Sequence, residues 1–237
     1  MVGNLRAKVH MIEKQKQEGA IDEKRKAKAV KMYYLMRNDM SCDESSWCES
    51  VLFDKERLSI PSSGNIIYTR RSCRKWTLQV VTNSEFLNIV DAARWAPSGC
   101  NRQPMEFILT RDKNKIVRLS EIKRQKFIEK APSCIIALVN MDCYKKVKSL
   151  EMKMYFCFMD AGAAIENLLL AGESLGLGMC WVNIEPKNED EIAKLFHISY
   201  RYRVVALIPC GRSEGKTAPP GRKDLAGMVH YEEWRSR

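Results

Sequence analysis

Ala92-Ala93-Arg94-Trp95-Ala96-Pro97-Ser98-Gly99-Cys100-Asn101-Arg102-Gln103-Pro104-Met105-Glu106-Phe107 is the stretch from which the rest of the chain can be read. Just before and within it, Phe86, Ile89, Val90 and Ala93 recur at three- and four-residue spacing, which predicts a helix from Ser84 to Trp95 with one buried face. Pro97 forbids its continuation, so the chain must turn. Ser98, Gly99 and Asn101 offer a hydroxyl, unhindered backbone amides and a carboxamide within four residues. Pro104 closes the turn before a strand from Met105 to Arg111. The expectation is a rigid cluster of hydrogen-bonding groups at a helix–strand junction. An isolated S-G-x-N would serve equally well as an ordinary loop.

About thirty residues upstream stands Arg70-Arg71-Ser72-Cys73-Arg74, three guanidiniums and a hydroxyl within five residues, followed by Trp76 as an apolar anchor. Arginine's planar fork captures phosphate oxygens in pairs, so the run reads as a phosphate clamp; a lone R-R-x-x-R is also compatible with a solvated basic face. R-R-S-x-R followed by A-A-x-W-A-P-S-G-x-N-x-Q-P resembles the flavin-dependent nitroreductase family. Two further stretches fit in order, Asp160 to Gly178 and the tail Arg222 to Trp234, so the resemblance covers roughly residues 66–234.

The resemblance implies an α+β fold, a three-layer α/β/α sandwich around a mainly antiparallel sheet, in an obligate homodimer. It implies FMN held at the subunit interface, with NAD(P)H as co-substrate. Carried over position by position, Arg70, Ser72 and Arg74 would hold the phosphate and ribityl end, with Arg71 beside them. Ser98 and Asn101 would meet the flavin ring edge. The segment Val182 to Pro186, hence Asn183, Ile184 and Glu185, would pass over the other edge, and Arg222 would return to the phosphate. No catalytic side chain is implied, because the flavin carries the hydride chemistry and the protein binds, orients and tunes it. The sequence agrees in what it lacks: three histidines (His10, His197, His230), no nucleophile elbow and no metal-binding His/Cys cluster. His230 reads as a structural residue of the tail.

Three departures from the family pattern stand out. Met105 occupies a position where members often carry Trp, a change of packing. Cys180-Trp181-Val182-Asn183-Ile184-Glu185 lacks a glycine-rich form. Only about twenty residues separate Arg111 from Ala131, too few for the long lid of dehalogenating members. The leading expectation is therefore a ping-pong oxidoreductase that moves a hydride from NAD(P)H through FMN to a nitroaromatic, quinone or enone. Alternatives are a dehalogenating or flavin-fragmenting enzyme of the same family, and a non-catalytic flavin- or nucleotide-binding protein.

Composition bounds these readings. At 237 residues the chain can hold one domain plus an extension. The net charge of +11 is concentrated in residues 61–130, with 14 basic against 6 acidic side chains, beside the clamp. That local field suits a phosphorylated cofactor and steers anionic dinucleotides, and no nucleic-acid reading module accompanies it. Nine cysteines without a C-x-x-C pair read as reduced thiols of a cytoplasmic protein. No continuous run approaches the eighteen apolar residues of a membrane span, and no membrane partner is expected.

Along the chain, residues 1–65 read as an N-terminal extension: two helices broken near Gly19, then a linker from 38 that includes Cys42 and Cys48. Residues 66–237 read as the FMN-binding domain. A short helix near the clamp, helices from Lys113 to Ser120, near Gln125 and from Glu189 to Phe196, and strands from Ala131 to Asn140, Met179 to Ile184 and Arg203 to Cys210 complete it. The helix from Tyr155 to Leu175 is apolar nearly all round, which requires cover on every side and points to a core shared with a second copy. Gly176 and Gly178 are expected to end it.

Overall fold

The computed structural model describes residues 65–215 and 217–234. The expected extension and linker, with Cys42 and Cys48, lie outside the described residues. The chain divides into a body, residues 60–221, and a second unit that takes in residues 222–237.

The body begins with helix α1, Asn65–Thr69, and helix α2, Asn83–Arg94. Strand β1, Met105–Thr110, helix α3, Lys113–Lys123, and strand β2, Ser133–Asn140, follow. Helix α4 is Leu150–Ser174, and two short strands come next, β3, Leu177–Met179, and β4, Val182–Asn183. Helix α5, Pro186–Phe196, and strand β5, Tyr202–Arg212, complete the body. The sheet runs β1-β2-β5-β3, with β4 also on β5, and every pairing between named strands is antiparallel.

Strand β2 shows why the sandwich has three layers. Its residues are apolar in sequence rather than alternating, because both faces are covered. Ile135, Ala137 and Val139 face one cluster with Ile89, Ala93, Ile165 and Leu168 of α2 and α4. Cys134, Ile136 and Leu138 face the other, with Ile116, Leu119 and Ile192 of α3 and α5. Each fully buried Ile or Leu contributes about 1.5–3 kcal/mol. The fold is the expected α/β/α sandwich.

Several boundaries differ from expectation. Helix α2 starts one residue earlier because Thr82 and Glu85 form a capping box, each side chain bonding the other's backbone amide. Helix α3 runs on to Lys123, and the segment near Gln125 is a 3-10 turn, Ile128–Lys130. The apolar run from Met179 is two strands rather than one. Gly178 lies inside β3, where a Cβ would stand 2.6 Å from the Cys73 sulfur, so glycine there admits the clamp stretch against the sheet.

Helix α4 starts at Leu150, where Ser149 caps it, and is not covered all round. By length and composition it is the one described helix apolar enough to cross a membrane. Ala161, Ala164, Ile165, Leu168 and Leu169 pack it into the core. Met152, Tyr155, Phe158 and Met159 stay exposed at 43–59%. Nothing lies within 4 Å of where a Gly162 Cβ would stand, so the small residues there leave an open surface.

In the second unit, Asp224 caps a 3-10 turn, Leu225–Gly227, and His230 packs against Trp234 with ring centroids 6.0 Å apart.

Candidate functional site

The clamp stretch is extended, and it is stitched to the sheet rather than held on a helix. Ser72 bridges Met179 in parallel, Cys73 N–H donates to Met179 O at 2.9 Å, and Trp76 Nε1 donates to Gly178 O at 2.8 Å. Trp76 thus anchors as expected, in contact with Phe127. The segment is fixed beside β3 and therefore next to Cys180 to Glu185.

The three guanidiniums are not equivalent. Arg70 pairs with Glu166 of α4 at 3.2 Å, and Arg71 donates to the carbonyls of Tyr68 and Arg70 at the end of α1. Arg71 Nε is buried without a partner. Arg74 lies over the Phe127 ring, 5.4 Å to its centroid, and pairs with no carboxylate among the described residues. The Cys180 thiol is pushed up by burial, against the opposing pull of Arg74, the Ser72 hydroxyl and Arg70.

Arg74 and the β3–β4 segment share one cavity of about 430 Å³, lined also by Lys123, Gln125 and Phe127. Cys180, Trp181, Val182, Asn183 and Glu185 form its other wall. Ile184 turns its side chain into the α3/α5 core cluster, which leaves only its main chain for a ligand. Lys123, Gln125 and Phe127 were not singled out from sequence. Their only signal was position, at and just after the end of α3 in the most basic part of the chain.

The Ser98–Pro104 corner is held from a different face of α4. Asp160 accepts from Gly99 N–H at 3.1 Å and from the Tyr144 hydroxyl at 2.5 Å. A Cβ at Gly99 would meet that hydroxyl at 2.6 Å, which is why the position is glycine. Cys100, Asn101 and Gln103 all take left-handed backbone angles, with φ of 53°, 54° and 49°. Such angles cost about 1–2 kcal/mol for residues with a Cβ, less for Asn. Local bonds offset this: Ser98 Oγ accepts from Gln103 N–H at 2.9 Å and Asn101 Oδ1 from Gln103 Nε2 at 3.0 Å. Arg102 lies over the Tyr144 ring and donates to Cys143 O.

Ser98 and Asn101 thus use their oxygens inside the turn, and neither lines the Arg74 cavity. Glu166 and Asp160, which tether clamp and corner, are six residues apart on α4, about 9 Å along the axis and about 120° around it. Within one copy the two stretches flank the helix from different sides. Arg222 belongs to the second unit.

The residues present fit a phosphorylated flavin. The cavity falls in the size range of cofactor sites, and Arg74 lines it without an anionic partner among the described residues; Arg70, Arg71 and Ser72 stand next to it in the chain but not in its lining, Arg71 with a buried orphan donor.

Comparison with known proteins places the chain in a family. The model of the nitroreductase family matches residues 67–129 and 121–212. An Archaeoglobus fulgidus protein provisionally named as an NADH dehydrogenase/NAD(P)H nitroreductase is 34% identical over 179 residues, 71% of this chain and 97% of that protein. The FMN reductase [NAD(P)H] of Bacillus subtilis is 29% identical over 178 residues, 69% of this chain and 71% of that one. The solved FMN-dependent nitroreductase of Clostridium difficile superimposes with a TM-score of 0.62 at 25% identity, covering 72% of this chain and 99% of that one. A clamp beside β3, an S-G-x-N corner on α4 and a family match through most of the body lead to one statement: the chain belongs to the nitroreductase family.

Proposed function

We propose that this chain is an FMN-dependent NAD(P)H oxidoreductase that reduces a nitroaromatic, quinone or enone by a ping-pong cycle. The observation that carries the reading is the single cavity shared by Arg74 and Cys180 to Glu185. Its relatives named FMN reductase and FMN-dependent nitroreductase support FMN and a nicotinamide as the pair of cofactors.

Bound FMN would supply the chemistry, accepting a hydride from the nicotinamide and passing it to the acceptor. The chain's own residues bind and orient. Arg74 is the guanidinium with charge to spare for the phosphate and ribityl end, Arg71 contributes its unpaired Nε–H, and Ser72 its hydroxyl. Arg70 stiffens the clamp through Glu166 and turns to the phosphate when that pair opens. Asn183, Glu185 and the Ile184 main chain form the opposite wall.

A second copy of the chain completes the cleft in this reading. Met152, Tyr155, Met159, Gly162 and Glu166 follow one another at three- and four-residue spacing on α4, a stripe that is apolar and open at one end and reaches Arg70 at the other. Ile67 and Tyr68 of α1 extend it at 55% and 54% exposure. A partner seated on this stripe would bring its Ser98–Asn101 corner to the clamp. All seven described cysteines are free thiols, which suits a cytoplasmic enzyme.

The purified protein should be yellow and should bleach on anaerobic titration with NADH or NADPH, then regain color with a quinone. A colorless protein that does not take up added FMN overturns the reading. Arg70→Ala combined with Arg74→Ala should leave a folded chain that binds no flavin, measured by absorbance and circular dichroism; stoichiometric flavin in that variant refutes the clamp.

A further inference from the structure

Lys123 is the one lysine buried among the described residues, its side chain 3% exposed, and it lines the Arg74 cavity. It is the last residue of α3, where the helix carbonyls favor a cation. Its partners are one carboxylate and one amide oxygen, both at long range for their kind. Nζ stands 3.6 Å from Glu185 Oε1 and 3.4 Å from Asn188 Oδ1. The other oxygen of Glu185 lies 2.6 Å from Lys187 Nζ, so that carboxylate is held more closely by the exposed lysine. Asn188 is fixed in turn, donating to Ile122 O at 2.9 Å.

A buried ammonium that shares its one carboxylate with a second lysine is only partly compensated, and its cost falls when negative charge enters the space it lines. Glu185, on the same wall, has the opposite effect. Both side chains also line a neighboring cavity with Arg118, Arg124, Asn188 and Glu191, where Arg118 is ion-paired to Glu121 and to Glu191. Lys123 and Glu185 thus line both cavities, and in the one they share with Arg74 they stand beside a guanidinium that pairs with no carboxylate among the described residues.

We propose that Lys123 and Glu185 are opposed tuning charges for the cofactor in this cavity, Lys123 raising its reduction potential and Glu185 lowering it. This rests on the FMN reading above. Electrons added to the cofactor increase the negative charge beside the pair, so the cation favors the reduced form and the carboxylate the oxidised form.

The test uses the FMN-loaded full chain with Lys123→Met, Lys123→Arg and Glu185→Gln. It reads the midpoint potential by spectroelectrochemical titration and the affinity for oxidised FMN by fluorescence. Lys123→Met should weaken binding of the reduced relative to the oxidised form about tenfold, a potential about 30 mV more negative for a two-electron couple. Glu185→Gln should shift it the other way, and Lys123→Arg should remain near wild type. A yellow Lys123→Met protein with an unshifted potential, or shifts of the same sign in both neutral variants, overturns the proposal. Should Lys123→Met fail to fold, Glu185→Gln decides alone, since a shift that is absent or negative overturns it. Wild-type chain that takes up no FMN overturns the functional reading itself, a result distinct from bound flavin with an unmoved potential.

Discussion

Asp160 sits on the buried face of α4 among apolar neighbors, and its carboxylate is accounted for by two donors, Gly99 N–H and the Tyr144 hydroxyl. Burial first, then the neighboring carboxylate, pushes the Tyr144 phenol well above its usual range. The sign follows: the unfolded chain loses that proton at lower pH than the folded one, so stability is complete below the ordinary tyrosine range and declines as pH rises through it. Tyr144→Phe removes a bond to a charged acceptor and should cost about 1.5–3 kcal/mol, with a weaker alkaline loss, measured by denaturant melts from neutral to alkaline pH. At this scale the sequence was only partly legible. S-G-x-N marked a polar corner, but its tether to Asp160 spans 61 residues. The three arginines look alike in sequence, and only the fold assigns Arg70 to Glu166, 96 residues away.

Helix α2 shows what local pattern can deliver. Its apolar repeat and its stop before Pro97 were both readable. Thr82-Asn83-Ser84-Glu85 is a capping-box signature as well, one that fixes the true start. Thr82→Ala should destabilise the body by about 1 kcal/mol in a thermal or urea melt. The backbone bond from Thr82 is the largest of the effects that lower the Glu85 pKa, with Arg212 contributing through its ion pair. The contribution of Glu85 is therefore present at neutral pH and disappears as pH falls through its depressed folded value. The gap between wild type and Thr82→Ala should narrow in acid. The β3–β4 break was not readable, because Met179 to Val182 is a continuous apolar run without a turn residue. Only in the fold does the chain leave the sheet line at Cys180 and Trp181, the latter 37% exposed on the cavity wall.

For the whole molecule, the pattern of elements marked mixed helices and strands, while the three-layer sandwich was implied by the resemblance and is borne out by the fold. The α4 sequence pointed to cover on every side, and in a single copy the stripe from Met152 to Met159 is exposed. If a second copy seats on this stripe as proposed, Met159→Glu should abolish that dimer and lower flavin affinity at least tenfold while far-ultraviolet circular dichroism stays unchanged. Sedimentation velocity with flavin fluorescence on the same samples tests this. A Met159→Glu protein that remains dimeric and yellow would place the interface elsewhere.

The burial of β2 carries a further consequence. Residues Ser133 to Val139 are no more than 5% exposed, with a strand on each side and helices above and below. No fluctuation of a loop or a single helix can wet those amides, so deuterium reaches them only through collapse of the entire body. Their exchange rate is then a built-in gauge of global free energy, against which the protection conferred by a ligand in the cleft can be weighed.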